Sequence, residues 1–255
     1  MKQIRDFTVE AVERHGEMYA MLTLRSADRK PIPDCLPGQF VQVAVETPGV
    51  FLRRPISINS VDSAAGELTL LVRDAGKATH KLINITPGDT VNIILPLGKG
   101  FTTDIAAGSR VLLAGGGVGV APMYYLGTEL KRLGFKPEFL LGARSASQLL
   151  MLDDFRNLGT VHVCTDDGSL GTHGVITDHE VLSTPIDRIY CCGPAPMMKA
   201  VARVARDRGI DCEVSLENMM ACGLGACLCC VEKTVKGNVC VCTEGPVFNI
   251  SELTW

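Results

Sequence analysis

Arg110-Val-Leu-Leu-Ala-Gly-Gly-Gly-Val-Gly-Val-Ala-Pro-Met123 runs from an apolar stretch of strand length, through a glycine-rich turn, into a segment whose Met123, Leu126, Leu130 and Leu133 recur at helical spacing. This is a strand-turn-helix unit. Strand-like 138–141, helical 148–157, strand-like 161–164, strand-like 188–191 and helical 196–208 continue the alternation, and strand-like 211–216 closes it. Alternation of this kind predicts a parallel sheet with helices on both faces.

Upstream the texture differs. Between residues 7 and 95, short apolar or alternating segments at 18–25, 39–45, 67–73 and 91–95 are split by turn signals, the pattern of an all-β unit closed into a small barrel. A helix fits 76–85, and Pro87-Gly88-Asp89 is the turn that follows. A length of 255 residues, at roughly 150 residues per domain, predicts one to two substantial units. The residues after 212 are too few to bury a core of their own and need a metal as a staple.

Composition removes several function classes. Hydrophobic residues make up 46% and charged residues 21% of the chain, which is the balance of a globular protein rather than a disordered one. The formal net charge is −3 and no run of lysine or arginine builds the field that nucleic acid demands. Residues 1–14 lack the apolar block of a signal peptide, and glycines and Pro122 interrupt the uncharged stretch 111–130, so neither secretion nor a membrane span is expected. His15, His80, His162, His173 and His179 have no ligand spacing, and no Ser/His/Asp set or close carboxylate pair occurs. No catalytic side chain is therefore expected.

The cysteines carry the sharpest signal. There are eleven, an odd number, and without a secretory leader they read as reduced thiols available to a metal. Cys35, Cys164, Cys191, Cys192 and Cys212 are scattered, whereas Cys222, Cys227, Cys229, Cys230, Cys240 and Cys242 crowd together. Cys222-Gly-Leu-Gly-Ala-Cys227-Leu-Cys-Cys230 has the Cys-x4-Cys-x2-Cys spacing of plant-type 2Fe-2S sites, with Cys242 as a distant fourth ligand. Zinc is the rival reading, but zinc knuckles call for paired two-residue spacings on both halves and only one half has such a pair. Cys229 breaks the spacing and is assigned as a spectator. Cys240 is the second spectator, although Cys240 and Cys242 lie two apart on a strand-like run and would face the same side.

Three further motifs suit anions. Arg53-Arg54-Pro55-Ile56-Ser57-Ile58, in the β-rich half, sets a cation three residues before a hydroxyl, a spacing able to hold pyrophosphate and a ring edge. By itself an Arg-x-x-Ser strand is ordinarily a solvated face. Its companion, Leu71-Val72-Arg73 followed by Gly76-Lys-Ala78-Thr79, adds a cation and a helix start. Gly115, Gly116, Gly117 and Gly119 form a turn that exposes N–H groups at a helix N-terminus, without the Gly-x-Gly-x-x-Gly order and without an acidic residue closing the next strand at 142–144. A tight packing turn is its alternative meaning. Cys191-Cys192-Gly193-Pro194-Ala-Pro-Met197 ends a strand and opens a helix at the carboxyl edge of the sheet, where ligands collect in α/β folds.

Taken in order, Arg-Pro-Ile-Ser, Gly-x-x-Thr, Gly-Gly-Gly-Val-Gly-Val-Ala-Pro, Cys-Gly-Pro-Ala-Pro-Met-Met and the terminal cysteine loop resemble the ferredoxin reductase superfamily. Within it, Glu217-Asn-Met-Met-Ala-Cys-Gly-Leu-Gly-Ala-Cys-Leu-Cys-Cys230 and Cys242-Thr-Glu-Gly-Pro-Val-Phe248 resemble the electron-transfer subunits of type B dihydroorotate dehydrogenases, and the likeness spans essentially the whole chain. The resemblance implies a multi-domain β plus α/β fold: an FAD-binding β-barrel at 1–102, a parallel α/β NAD-binding domain at 103–212 and a small 2Fe-2S cluster domain at 213–255. It places Arg54, Pro55, Ile56 and Ser57 along FAD, with Ile56 where many of these reductases have a stacking tyrosine. Leu71, Val72, Arg73, Ala78 and Thr79 complete the flavin site. Gly115, Gly116, Gly117, Gly119, Cys192, Gly193 and Pro194 receive NAD, and Cys222, Cys227, Cys230 and Cys242 hold the cluster, Cys242 being favoured over Cys240 by the Thr-Glu-Gly-Pro-Val-Phe that follows it.

The resemblance further implies an oxidoreductase subunit of pyrimidine (UMP) biosynthesis in the cytoplasm. Its partner is an FMN-containing catalytic subunit, with two of each in a heterotetramer. Similar motifs occur in the small subunits of ferredoxin-NADP reductases and sulfide dehydrogenases, and a redox-sensing module that keeps the fold without turnover is the non-enzyme alternative.

Overall fold

The computed structural model describes residues 1–255. The N-terminal strands are β1 (Gln3–His15), β2 (Tyr19–Ser26), β3 (Phe40–Val43), β4 (Arg54–Asp62), β5 (Glu67–Arg73) and β6 (Thr90–Leu97), with helix α1 (Lys77–Ile83) between the last two. They close into a barrel in the order β1-β2-β5-β4-β3-β6, as the sequence predicts, and closure leaves no free edge. Period-two alternation drives this. Along β2, Ala20, Leu22 and Leu24 are buried while the residues between them are partly exposed, so one face lines the interior. Helix α1 buries Ala78, Leu82 and Ile83 and packs on β5 and β2.

The next elements are β7 (Val111–Gly116), α2 (Val120–Arg132), β8 (Glu138–Ala143), α3 (Leu152–Leu158), β9 (Thr160–Thr165), β10 (Thr172–His173), β11 (Arg188–Cys192), α4 (Ala195–Arg208) and β12 (Asp211–Ser215). The chain ends with a hairpin, β13 (Val231–Thr234) and β14 (Gly237–Cys240), a one-turn helix α5 (Val241–Glu244) and β15 (Val247–Asn249). The second sheet runs β10-β9-β8-β7-β11-β12-β15. Its central strand β7 is buried throughout, which is why its sequence is an unbroken apolar run. Helix α2 buries Met123, Leu126 and Leu130, three of the four residues whose spacing announced it, and lies on β7 and β11; Leu133, the fourth, falls just past the helix and is exposed.

Two expectations are corrected. The sheet is parallel except at its last strand: β15 pairs antiparallel with β12, from Glu213↔Asn249 to Ser215↔Val247, because the chain returns to the sheet after its excursion through the cysteines. The helix expected at 148–157 begins only at Leu152, since Met151 takes a left-handed conformation at φ 57° that interrupts it. Asp153 and Asp154 then occupy the first turn, where acidic side chains complement the helix dipole.

Contacts gather the chain into two compact units. One comprises residues 1–100, 218–232 and 239–246; the other comprises 101–217, 233–238 and 247–255. The first therefore contains the barrel and all six clustered cysteines, and the second contains the seven-stranded sheet. Within the second, the glycine turn and the Cys192-Gly193 segment sit at the carboxyl ends of neighbouring strands, with Cys192 paired to Gly115. A Cβ on Gly119 would lie 2.4 Å from the Cys192 carbonyl oxygen and 2.6 Å from the Gly193 nitrogen. Gly119→Ala is accordingly expected to destabilise this unit by about 1–3 kcal/mol through overpacking, read as a lower midpoint in thermal unfolding followed by near-UV circular dichroism. An unchanged midpoint would refute the close approach.

Candidate functional site

The cysteine-rich segment is built around its backbone. Gly223 and Gly225 take φ of 69° and 84°, a left-handed conformation that glycine adopts without penalty, and this turns successive N–H groups inward. The Leu224 N–H donates to Cys222 Sγ at 3.3 Å, the Gly225 N–H to Cys242 Sγ at 3.2 Å and the Cys242 N–H to Cys230 Sγ at 3.4 Å. Leu228, between Cys227 and Cys229, is also left-handed at φ 55°, which is uncommon for a residue with a branched side chain.

Cys222 is hydrogen-bonded to Cys227, and Cys230 to both Cys242 and Cys240. A 2Fe-2S cluster carries its four thiolates as two on each iron; the Cys222–Cys227 contact suits one iron, and Cys230 with either neighbour suits the other.

The local fields differ between pairs. The Leu224 N–H, followed by those of Cys227 and Ala226, pulls the Cys222 thiol down to about 6, because N–H donors favour the thiolate. Burial pushes the Cys242 thiol up to about 12 in the metal-free chain, so metal binding there must displace a proton.

The expectation that Cys240 and Cys242 share a strand face is corrected. Cys240 ends β14, whereas Cys242 lies in the turn of α5. Cys242 is fully buried and accepts an N–H, while the Cys240 thiol points at the Gly225 carbonyl, 3.8 Å away. An acceptor oxygen opposes a thiolate, and an N–H donor favours one.

The segment rests on the barrel. The Lys99 N–H donates to the Gly245 carbonyl at 2.6 Å and Lys99 Nζ pairs with Glu244 at 2.7 Å. The α-carbon of Gly223 approaches Gln42 of β3 so closely that a Cβ would lie 2.9 Å from Gln42 Cγ and 3.0 Å from Nε2. Gln42 is 0% exposed, and neither its Nε2 nor its Oε1 has a hydrogen-bond partner. Sequence reading missed this residue. A single polar side chain in the run Phe40-Val-Gln-Val-Ala-Val45 was the available signal.

The anion-suited motifs of the barrel come together on adjacent strands. The β4–β5 ladder runs from Asp62↔Glu67 to Ile58↔Leu70, and Arg54, Pro55, Ile56 and Ser57 on one strand, with Leu71, Val72 and Arg73 on the other, continue beyond its last rung. Arg53 is consumed structurally, donating to the Gln42 and Asn92 carbonyls and to Asn92 Oδ1. The half-buried Arg54 is braced by donation to the Leu52 carbonyl at 2.8 Å. Ala78 is buried, and the Thr79 hydroxyl donates to the Gly76 carbonyl and accepts from the Ala75 N–H, so it holds the turn before α1. In the second unit, Gly115, Gly116 and Gly119 meet Cys192, Gly193 and Pro194 at the strand ends, while Gly117, left-handed at φ 56°, faces open space. Cys192 is 2% exposed and burial raises its thiol well above the ordinary range; what it presents to the turn is its backbone.

Comparison with known proteins agrees with this geometry. The family model described as the iron-sulfur cluster binding domain of dihydroorotate dehydrogenase B matches residues 217–254, and the oxidoreductase FAD-binding domain matches residues 6–101. The dihydroorotate dehydrogenase B (NAD(+)) electron transfer subunit of Bacillus caldolyticus is 42% identical over 223 residues, covering 85% of this chain and 86% of the relative. The chain belongs to this family. The Fusobacterium nucleatum member is 37% identical with 85% and 86% coverage. Among solved structures, one from work on flavin-based electron bifurcation in an NADH-dependent reduced ferredoxin-NADP oxidoreductase has a TM-score of 0.87 at 30% identity, covering 98% of this chain and 90% of that one. The FAD/NAD-binding domain of a Vibrio cholerae nitric oxide dioxygenase shares the fold, with a TM-score of 0.71 at 22% identity over 82% of this chain and 98% of its own. No helix of the family member described here is long and apolar enough to cross a membrane.

Cysteine substitutions separate the ligand set from the spectators. Serine at Cys222, Cys227, Cys230 or Cys242 is expected to abolish or strongly diminish bound iron and acid-labile sulfide, whereas Cys229→Ser and Cys240→Ser retain both, as measured on anaerobically purified protein. Iron lost with Cys240→Ser and kept with Cys242→Ser would reverse the choice of fourth ligand.

Proposed function

We propose that this chain is the electron-transfer subunit of an NAD-linked dihydroorotate dehydrogenase of pyrimidine (UMP) biosynthesis. It holds FAD on the barrel and a 2Fe-2S cluster in residues 222–242, and dihydroorotate is oxidised on a separate FMN-containing polypeptide. The observation that carries the reading is the set of backbone N–H groups aimed at Cys222, Cys230 and Cys242, in a segment seated on a barrel that matches the FAD-binding family. Donors of this kind favour thiolates over thiols and so fit a set of metal ligands.

When bound, flavin and cluster supply one-electron exchange on one side and hydride exchange with a nicotinamide on the other. The chain's own residues bind and orient. Arg54 offers its braced guanidinium to the flavin pyrophosphate, and Pro55, Ile56 and Ser57 line the ring along β4. Leu71, Val72 and Arg73 border it from β5, with Ala78 and Thr79 fixing the adjoining turn. Gly115, Gly116, Gly117 and Gly119 give NAD(+) phosphate an approach to the start of α2 that side chains would block. Cys192, Gly193 and Pro194 form the opposite rim. Divided by cofactor, the chain falls into segments 1–102, 103–212 and 213–255.

The assembly we propose is a heterotetramer of two such chains and two catalytic subunits. None of the eleven cysteines forms a disulfide, which suits a reducing cytoplasm. A second reading draws on the electron-bifurcation relative at 30% identity: a small subunit serving an NADPH-linked reductase. Arg144, exposed at the end of β8, is the side chain that would meet a 2′-phosphate.

Protein purified without air is expected to contain one 2Fe-2S cluster per FAD, to reduce artificial dyes with NADH and to leave dihydroorotate untouched until the catalytic subunit is added. Dihydroorotate oxidation by the isolated chain would overturn the partner assignment. Preference for NADPH over NADH in kcat/KM would establish the second reading, and cofactors without dye reduction would point to a sensor.

A further inference from the structure

The barrel strand beneath the cysteine segment contains one group that the reading above leaves unused. Gln42 lies in β3, flanked by buried Val41 and Val43 and paired across the sheet with Pro55 of β4 and Ile94 of β6. Its carboxamide is completely buried and both polar atoms lack partners. Its backbone carbonyl accepts from Arg53, so the orphaned atoms are those of the side chain alone. A buried amide with nothing to bond is among the costlier features a core can hold, and leucine would fill the same space without that cost.

The amide's surroundings say what it serves. A Cβ on Gly223, the residue after Cys222, would stand 2.9 Å from Gln42 Cγ and 3.0 Å from its Nε2, at the point where the left-handed turn begins. A side chain on Gly223 would displace the amide, so the loop keeps a bare backbone where Gln42 arrives. The N–H groups of Leu224 and Gly225 are already committed to the cysteine sulfurs. The amide lies beneath the loop, on the side that faces the barrel, with its N–H groups uncommitted.

We propose that Gln42 is a hydrogen-bond donor to the sulfur shell of the cluster, a positioning residue that raises the reduction potential of the centre while joining it to the strand next to the flavin motif. The inference rests on the cluster reading of residues 222–242. Its physical basis is that N–H donation to sulfur stabilises the more negative, reduced state. Pro55, opposite Gln42 in the β3–β4 ladder, belongs to the stretch assigned to FAD, so one residue of β3 spans the distance between the two motif regions within a single compact unit.

The test is a spectroelectrochemical titration of Gln42→Leu in the full chain, with the cluster followed by electron paramagnetic resonance and the flavin by absorbance. The expected result is about tenfold less reduced cluster at fixed ambient potential, or ~59 mV for a one-electron couple, with cluster content and flavin potential unchanged. Gln42→Met, similar in size and without an N–H donor, should shift the centre in the same direction. Should either variant fail to assemble its cluster, hyperfine spectroscopy on reduced wild-type protein labelled with 15N at the glutamine side chain reads the contact directly, and a resolved 15N coupling is expected. An intact cluster with an unshifted potential, a shift confined to the flavin, or no 15N coupling would overturn the proposal while leaving the cluster reading in place. Wild-type protein without a cluster would overturn both.

Discussion

Sulfur ligands that converge on iron bring negative charge into a confined space, and the donors that offset it must fit where side chains cannot. Backbone N–H groups meet that requirement only if the chain bends tightly enough to aim several of them at once. Gly223 and Gly225 make that bend, and Leu228 accepts the same left-handed conformation without glycine's freedom. The loop cannot hold this shape by its own packing, because Leu224, Cys227, Leu228 and Cys229 are exposed. It is held from below by the main-chain bond between Lys99 and Gly245 and by the close seat of Gly223 on Gln42. The Lys99–Glu244 ion pair, with both side chains more than half exposed, adds little beside these.

In the glycine-rich turn before α2 the same residues pack closely and, as we propose, leave an approach for an anionic ligand. Read from sequence, its glycines could serve close packing or an anionic ligand. Gly119 has no room for a methyl group against the Cys192 carbonyl, and Gly116 would meet the Met197 sulfur at 2.7 Å, so packing is one genuine reason for them. That packing also brings two strand ends together at the carboxyl edge of the sheet, where α/β folds bind their ligands. The close packing is thus compatible with the ligand role we propose.

Legibility followed the range of the interaction. Local periodicities carried the barrel strands and α2, because burial alternates every second residue or every helical turn, and the cysteine spacing carried the segment from 222 to 230. Features set by distant parts of the chain were not legible. Nothing near residue 247 announces that β15 will pair with β12, or that the run around Cys240 will turn into a helix before Cys242. The left-handed Met151 delays α3 without any glycine to signal it. Gln42 left a trace, a lone amide in an apolar run, yet its meaning depends on Gly223, far along the chain.

The pairing of Ser215 with Val247 bears on how the end of the chain is secured. Cα atoms of residues opposite each other in an antiparallel ladder stand about 5 Å apart, so the cysteine passage leaves and re-enters the sheet at nearly one point. It is nonetheless no detachable loop: its hairpin bridges Thr234 to Leu253, and the Val235 N–H donates to the Glu252 carbonyl. Excising the passage would strip the last residues of these bonds along with the cysteines.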